Sequence, residues 1–244
     1  MADRDRRPAY YTARPGPWRD WWSVLHPPYT AWHLSYVVIG ACLAPRVDET
    51  HLLATVLAFF AAVGVAAHVL DELHGHPLRT RIPDRALVAA GAAGLAVAVG
   101  LGIAGIGPVG WILVPFIVLG PLLVLAYNLE LFGGRLHTDV GFALAWGAFP
   151  VLTGFVAQAG RLEVEAGLAA IGAAALAYAQ RSLSTPARAL RRHVQRVEGS
   201  VVFDDDTVRE LDQATLLAPL ERALRSLSWA VVALGAALAV ARLT

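Results

Sequence analysis

The sequence has no lysine and a single cysteine, and it carries little charge of either sign. Charged residues make up 16% of the 244-residue chain, where a soluble domain of this size holds about a quarter. That shortage, with a mean hydropathy of +0.54, excludes disorder and argues against a soluble fold. The lone Cys42 sits in an apolar block, so neither a disulfide framework nor a thiolate metal cluster is available. The 20 arginines form no long basic stripe and the formal net charge is +1, which excludes a nucleic-acid partner. A small-residue cleavage site is missing from the first apolar block, so that block reads as a retained span and not a signal peptide. Phosphate-binding glycine loops, nucleophile elbows and haem-type histidine pairs are absent too.

What is present is a series of apolar blocks, at roughly 29–45, 51–70, 86–105, 109–128, 138–158, 163–181 and 226–243. A membrane-crossing helix needs about 20 such residues, so the pattern predicts an all-α, polytopic transmembrane helical bundle of about seven spans. Four segments follow: 1–27, a cytoplasmic or interfacial N-terminal stretch; 28–181, a six-span membrane core; 182–225, a basic cytoplasmic loop and amphipathic interfacial helix; and 226–244, the last span. Ser184-Thr185-Pro186 reads as a helix start. Asp204-Asp205-Asp206 reads as the N-cap of an amphipathic helix over 207–225. With the N-terminus inside, the inner segments hold 17 arginines and the outer ones three, Arg46, Arg161 and Arg242. The positive-inside rule then sets a cytoplasmic N-terminus, in a prokaryotic cytoplasmic membrane.

Ionisable groups near membrane depth are costly, so each needs a partner or a function. Six of the eight histidines fall at the inner ends of spans, among His26–His33, His68–His76, Tyr127–Glu130 and His137–Asp139. His33 lies seven residues past His26, about 10 Å deeper along a helix. His68, Asp71 and Glu72 share one helical face by their three- and four-residue spacing. Asp71-x-x-His74 repeats the carboxylate-then-histidine spacing of di-metal helical bundles. The expected metal ligands are therefore His68, Asp71, His74 and Glu130, with His33, Glu72, Tyr127 and His137 as acid–base or further groups. His26, Asn128, Arg79, Arg81 and Arg188 are the candidate substrate contacts. Imidazole with carboxylate and no thiolate suits Fe, Mn, Zn or Mg. The plainer alternative is that Asp71 and Glu72 pair with Arg79 and Arg81, and that each histidine is an interfacial hydrogen-bonder.

These places resemble the UbiA-type intramembrane prenyltransferase superfamily. His26-Pro27-Pro28-Tyr29-Thr30 stands where members open the first span with an Arg-Pro-His-Thr-like segment. Ala67, His68, Asp71 and Gly75 occupy the positions of the Asn-Asp-x-x-Asp-x-x-x-Asp motif, followed by Pro77–Pro83 in place of an Arg-Pro-rich loop. Tyr127-Asn128-Leu129-Glu130-Leu131 precedes a span with Pro150 and Gly154 in a Pro-x-x-x-Gly pattern. The resemblance covers residues 20–182 and implies an isoprenoid or similar lipid substrate, with Mg²⁺ holding a prenyl diphosphate. The chain departs from the family where the metal should sit. Asp71 alone survives of the first acidic motif, and Gln180-Arg181-Ser182-Leu183-Ser184 replaces the second without any acid. Members usually have nine spans. Two rivals to the prenyltransferase-related reading are a transition-metal-dependent intramembrane oxidoreductase or hydrolase, and a non-catalytic lipid-binding membrane protein.

Overall fold

The computed structural model describes residues 8–13 and 16–244. Arg4, Arg6, Arg7 and Arg14, which entered the arginine count for orientation, lie outside the described residues. In chain order the helices are α1 (Pro17–Val24), α2 (Pro27–Leu43), α3 (Glu49–Leu73), α4 (Asp84–Val109), α5 (Trp111–Asn128), α6 (Asp139–Ala159), α7 (Val164–Arg192) and α8 (Gln213–Leu243). A short antiparallel hairpin, β1 (Gly199–Val202) and β2 (Val208–Leu211), separates α7 from α8.

Helices occupy each of the seven apolar blocks. Five of them, α3, α4, α5, α6 and α8, are long and apolar enough to cross a membrane, so the chain is a multi-pass helical membrane protein. The other two differ for separate reasons: α2 has 17 residues, and α7 mixes small apolar residues with Glu165, Gln180 and Arg181. Large apolar side chains such as Val97, Ile103, Leu119, Leu122, Ile171 and Leu234 point outward from the bundle. In water such a surface would aggregate; in lipid it is the expected exterior.

Small residues set the packing. A Cβ on Gly40 would overlap the carbonyl of Val151, and one on Gly154 the carbonyl of Val37. The paired glycines let the parallel helices α2 and α6 touch backbone to backbone, the usual close-approach device of membrane helices. Gly94 does the same for α4 on α3, and Gly147 for α6 on α7. Trp32, Tyr36, Val151, Ala173 and Val231 fill the core between α2, α6, α7 and α8.

Two stretches leave the α-helical register: Phe60–Ala67 of α3 and Ala143–Ala148 of α6 are π-helical. Such wide turns shift carbonyls out of the i→i−4 ladder and are frequent at functional sites. Each here presents a carbonyl near a histidine ring, Gly64 to His68 and Trp146 to His33.

The segment 182–225 is unlike its expected form. No helix starts at Ser184-Thr185-Pro186; α7 runs through Pro186 to Arg192. Asp204–Asp206 is not a helix cap but the hairpin turn, where the Asp205 carboxylate accepts from the backbone N–H and hydroxyl of Thr207. The cap of α8 is Asp212, which accepts from Thr215 N–H at 2.7 Å. From there α8 is one helix past Pro219 to Leu243, so the division at 225 disappears. The apolar face of its first part, Leu217, Leu220 and Leu224, packs on Leu183, Ala187 and Leu190 of α7 instead of lying on a membrane surface. A buried Arg191–Glu221 pair ties the two helices further.

Candidate functional site

The starts of α2, α4, α6 and α8 and the ends of α3, α5 and α7 meet at one end of the bundle, here termed the polar end. His26, buried and in the left-handed region at φ 45°, is its pivot. A non-glycine residue in that region is strained and persists only where its surroundings hold it. Its ring stacks on His68 with centroids 4.3 Å apart and meets Tyr11 at 5.0 Å. Pro8–Ala13 lies over this end: Tyr10 and Tyr11 pack edge-on against Tyr29, and Arg192 donates to the Pro8 carbonyl.

Three histidines here are held in the same way. The Nδ1 atoms of His33, His68 and His137 lie 2.9, 3.2 and 3.1 Å from the carbonyls of Trp146, Gly64 and Tyr127. A carbonyl only accepts, so each Nδ1 carries the hydrogen and each Nε2 keeps a lone pair. Thr30 lies 3.4 Å from the His68 Nδ1 and donates its own hydroxyl to Leu25 O. Each ring is thereby oriented, with Nε2 left as its acceptor atom.

The acids divide. The Asp71 carboxylate makes no hydrogen bond or ion pair among the described residues, and its charge reaches His68, Tyr11 and Tyr127. Glu72, next to it, is fully buried and used up: it accepts from Leu78 N–H, Thr80 N–H and Thr80 Oγ1 at 2.9, 3.0 and 2.8 Å. The expected acid–base role of Glu72 therefore gives way to a structural one. It clasps the loop between α3 and α4, through that loop's backbone rather than through Arg79 or Arg81.

The other expected site residues scatter. His74 is an exposed residue at the end of α3. Glu130 is exposed and faces only His137, at 3.8 Å. Arg79 and Arg81 are exposed, and Arg81 enters the structure by donating its backbone N–H to Asp20. Asn128 turns back onto Val124 O. Tyr127 does belong to the polar end: it stacks on His137 at 4.5 Å and its hydroxyl accepts from Arg181, which also binds Asp139. Arg188 belongs there too, its charge reaching Tyr11, His26 and Tyr127.

The resemblance implies a divalent metal held by these residues. Among the described residues no three His, Cys, Asp or Glu side chains gather as metal ligands would; of the four expected ones, the Asp71 charge reaches His68.

Outside the bilayer-crossing helices, charge follows burial. Burial, then the charges of His68, Arg192 and Arg188, pushes His26 well below the usual histidine range. Burial pushes the Tyr11 phenol up, against the pull of Arg192 and Arg188. Tyr11 and Arg181 were not among the expected site residues. Tyr10-Tyr11 looks in sequence like one more interfacial aromatic pair, and only the folding of Pro8–Ala13 over the bundle brings it here. Arg181 had a signal, standing where the family carries an acid.

In the half of the bundle away from this end, from His51, Val109 and Ala157 inward to Trp146, runs an apolar cleft between α3, α4, α5 and α6, with an empty volume of about 900 Å³ including the part open to its surroundings. Gly102, Gly120 and Trp146 lie on its wall. Trp146 also meets His33 and Tyr127, with centroids 6.2 and 5.7 Å apart. One side chain thus separates an apolar channel from a polar cluster. No family model matches the chain, nor does any curated protein or solved structure.

Proposed function

We propose that this is a UbiA-like intramembrane enzyme acting on an isoprenoid or similar lipid, of the prenyltransferase or terpenoid-processing class. The observation that carries the reading is the adjacency of the apolar cleft and the polar end across Trp146. A hydrocarbon chain in the cleft would bring its functional end against Tyr127, His33 and His68. The lone pair on His68 Nε2 would take a proton. The Asp71 carboxylate would stabilise positive charge developing on the lipid. Seven spans, a cytoplasmic N-terminus and a mouth facing the cytoplasm of a prokaryotic cell complete the proposal, supported by the excess of arginine at the polar end.

The test is turnover of the purified protein in nanodiscs, offered isoprenoid diphosphates and isoprenoid alcohols and followed by mass spectrometry. The wild type should consume at least one, and Asp71→Asn and His68→Gln should each slow it by about a hundredfold or more while the fold is kept. Retention of the lipid without any conversion would sink the enzyme reading in favour of a lipid-binding protein.

A further inference from the structure

Arg188 and Arg192 stand four residues apart on α7, hence on one face; Arg192 donates to the Pro8 carbonyl, in the segment that sets Tyr11 against His26, and both charges reach those two rings. Arg181, Arg191 and Arg225 each have a carboxylate partner, respectively Asp139, Glu221 and Glu221. Arg188 and Arg192 have none among the described residues. Arg188 reaches only Thr185 Oγ1, at 3.5 Å, and Arg192 only a backbone carbonyl. Asp71 and Glu72 are the acids whose charge reaches Arg192, and Glu72 is committed to its loop. Two half-buried guanidinium groups therefore repel each other beside one free carboxylate. His26, which feels both charges and is 7% exposed, has an Nε2 atom with no partner among the described residues. Unanswered buried donors and like charges are costly unless a ligand answers them.

We infer that Arg188, Arg192 and His26 form a binding site for a phosphate-bearing headgroup, neutralised by guanidinium groups rather than by a protein-held divalent metal. The chemistry fits on three counts. Arginine forks bind phosphate oxygens two at a time. A neutral His26 with its hydrogen on Nε2 would supply a further donor. Among the described residues no group of three metal-ligating side chains stands here to hold a cation instead. Tyr11 and the Pro8–Ala13 segment shield the site from outside, which strengthens such contacts. The inference rests on the polar end being the ligand site, but not on which reaction follows.

The experiment is binding of pyrophosphate to the full-length protein in nanodiscs of neutral lipid, by calorimetry, with EDTA and with Mg²⁺. A parallel thermal-unfolding series adds phosphatidic acid to the nanodiscs. The double substitution Arg188→Gln/Arg192→Gln is compared with Arg222→Gln, an exposed arginine on α8. Wild type should bind pyrophosphate in EDTA. The double variant should bind roughly tenfold or more weakly, and Arg222→Gln should match wild type. If the response is to phosphatidic acid alone and is lost in the double variant, the site stands and its source is a lipid headgroup. Binding that strictly requires Mg²⁺, that survives the double substitution, or that is absent for both probes overturns the inference. Should the double variant fail to fold, Arg188→Lys/Arg192→Lys keeps the charge, loses the fork, and should still weaken binding. Failure of the enzyme proposal would look different: phosphate would bind without turnover.

Discussion

The two ends of the helix bundle carry similar side chains and use them differently. At the end opposite the site, polar groups are answered locally. Asp48 caps α3 by accepting from His51 N–H at 2.9 Å, and its backbone exchanges hydrogen bonds with the Gln158 amide. Arg161 pairs with Glu163, and Arg242 closes on the carbonyls of Ala44 and Pro45. At the polar end Glu72, Arg191 and Asp139 are answered in the same way, yet Asp71, Arg188, Arg192 and the Nε2 of His26 are left over. Charge at a membrane boundary is thus not in itself a sign of function. What marks the site is charge that the fold has buried and not paired.

The sharpest way to break this contrast is to exchange the roles of Asp71 and Glu72. Glu72→Ala should strip three donors of their acceptor and cost about 3 kcal/mol, read as a large drop in melting temperature. Equal damage from Asp71→Ala would erase the distinction. Glu221→Leu should follow at about 2–3 kcal/mol, because it leaves Arg191 charged in a largely buried position; double substitution with Arg191→Leu should recover part of the loss.

Acidification separates the ends next. The folded state holds His26 below the ordinary histidine value, so the unfolded chain binds the proton more readily. Stability should therefore be full above about pH 6.5 and fall as pH drops below it, and His26→Phe should flatten that part of the profile. At the opposite end Asp48, depressed by the His51 N–H, acts lower, as does Asp212 at the polar-end start of α8, depressed by Thr215. Their contribution is present above the ordinary aspartate value of about 3.9 and is lost as pH falls through their lowered folded values. Asp48→Asn and Asp212→Asn should each remove a little of that acid sensitivity. The smallest effect is Asp71→Asn, expected to change ligand-free stability by less than about 0.5 kcal/mol.

Apolar blocks made the helices legible in the sequence, because lipid-facing helices must be apolar along their whole length. Clustering of His26, His33, His68, Asp71, Tyr127 and Arg188 at one end followed from the same topology. Local rules misled where long-range packing decides. Ser184-Thr185-Pro186 looks like a helix start, but α7 continues through it because Leu190, Leu217 and Leu224 bury one another. Val201, Val202 and Val208 carried a strand signal that the aspartates between them obscured. Helical spacing put Asp71 and Glu72 on one face with His68, and nothing local told which of the two the loop at Leu78–Thr80 would claim. Tyr11 was hidden for a similar reason, since its position depends on a chain segment folding back across the bundle.

The most direct test compares ligand response with stability at the two ends, using thermal unfolding in nanodiscs with and without farnesyl diphosphate. Asp71→Asn/Arg188→Gln should melt close to wild type without the ligand and lose the ligand-induced shift. Asp48→Asn/Gln158→Ala should melt lower and keep the shift. If the first variant keeps the shift, or the second loses it, the polar end is not where the ligand binds.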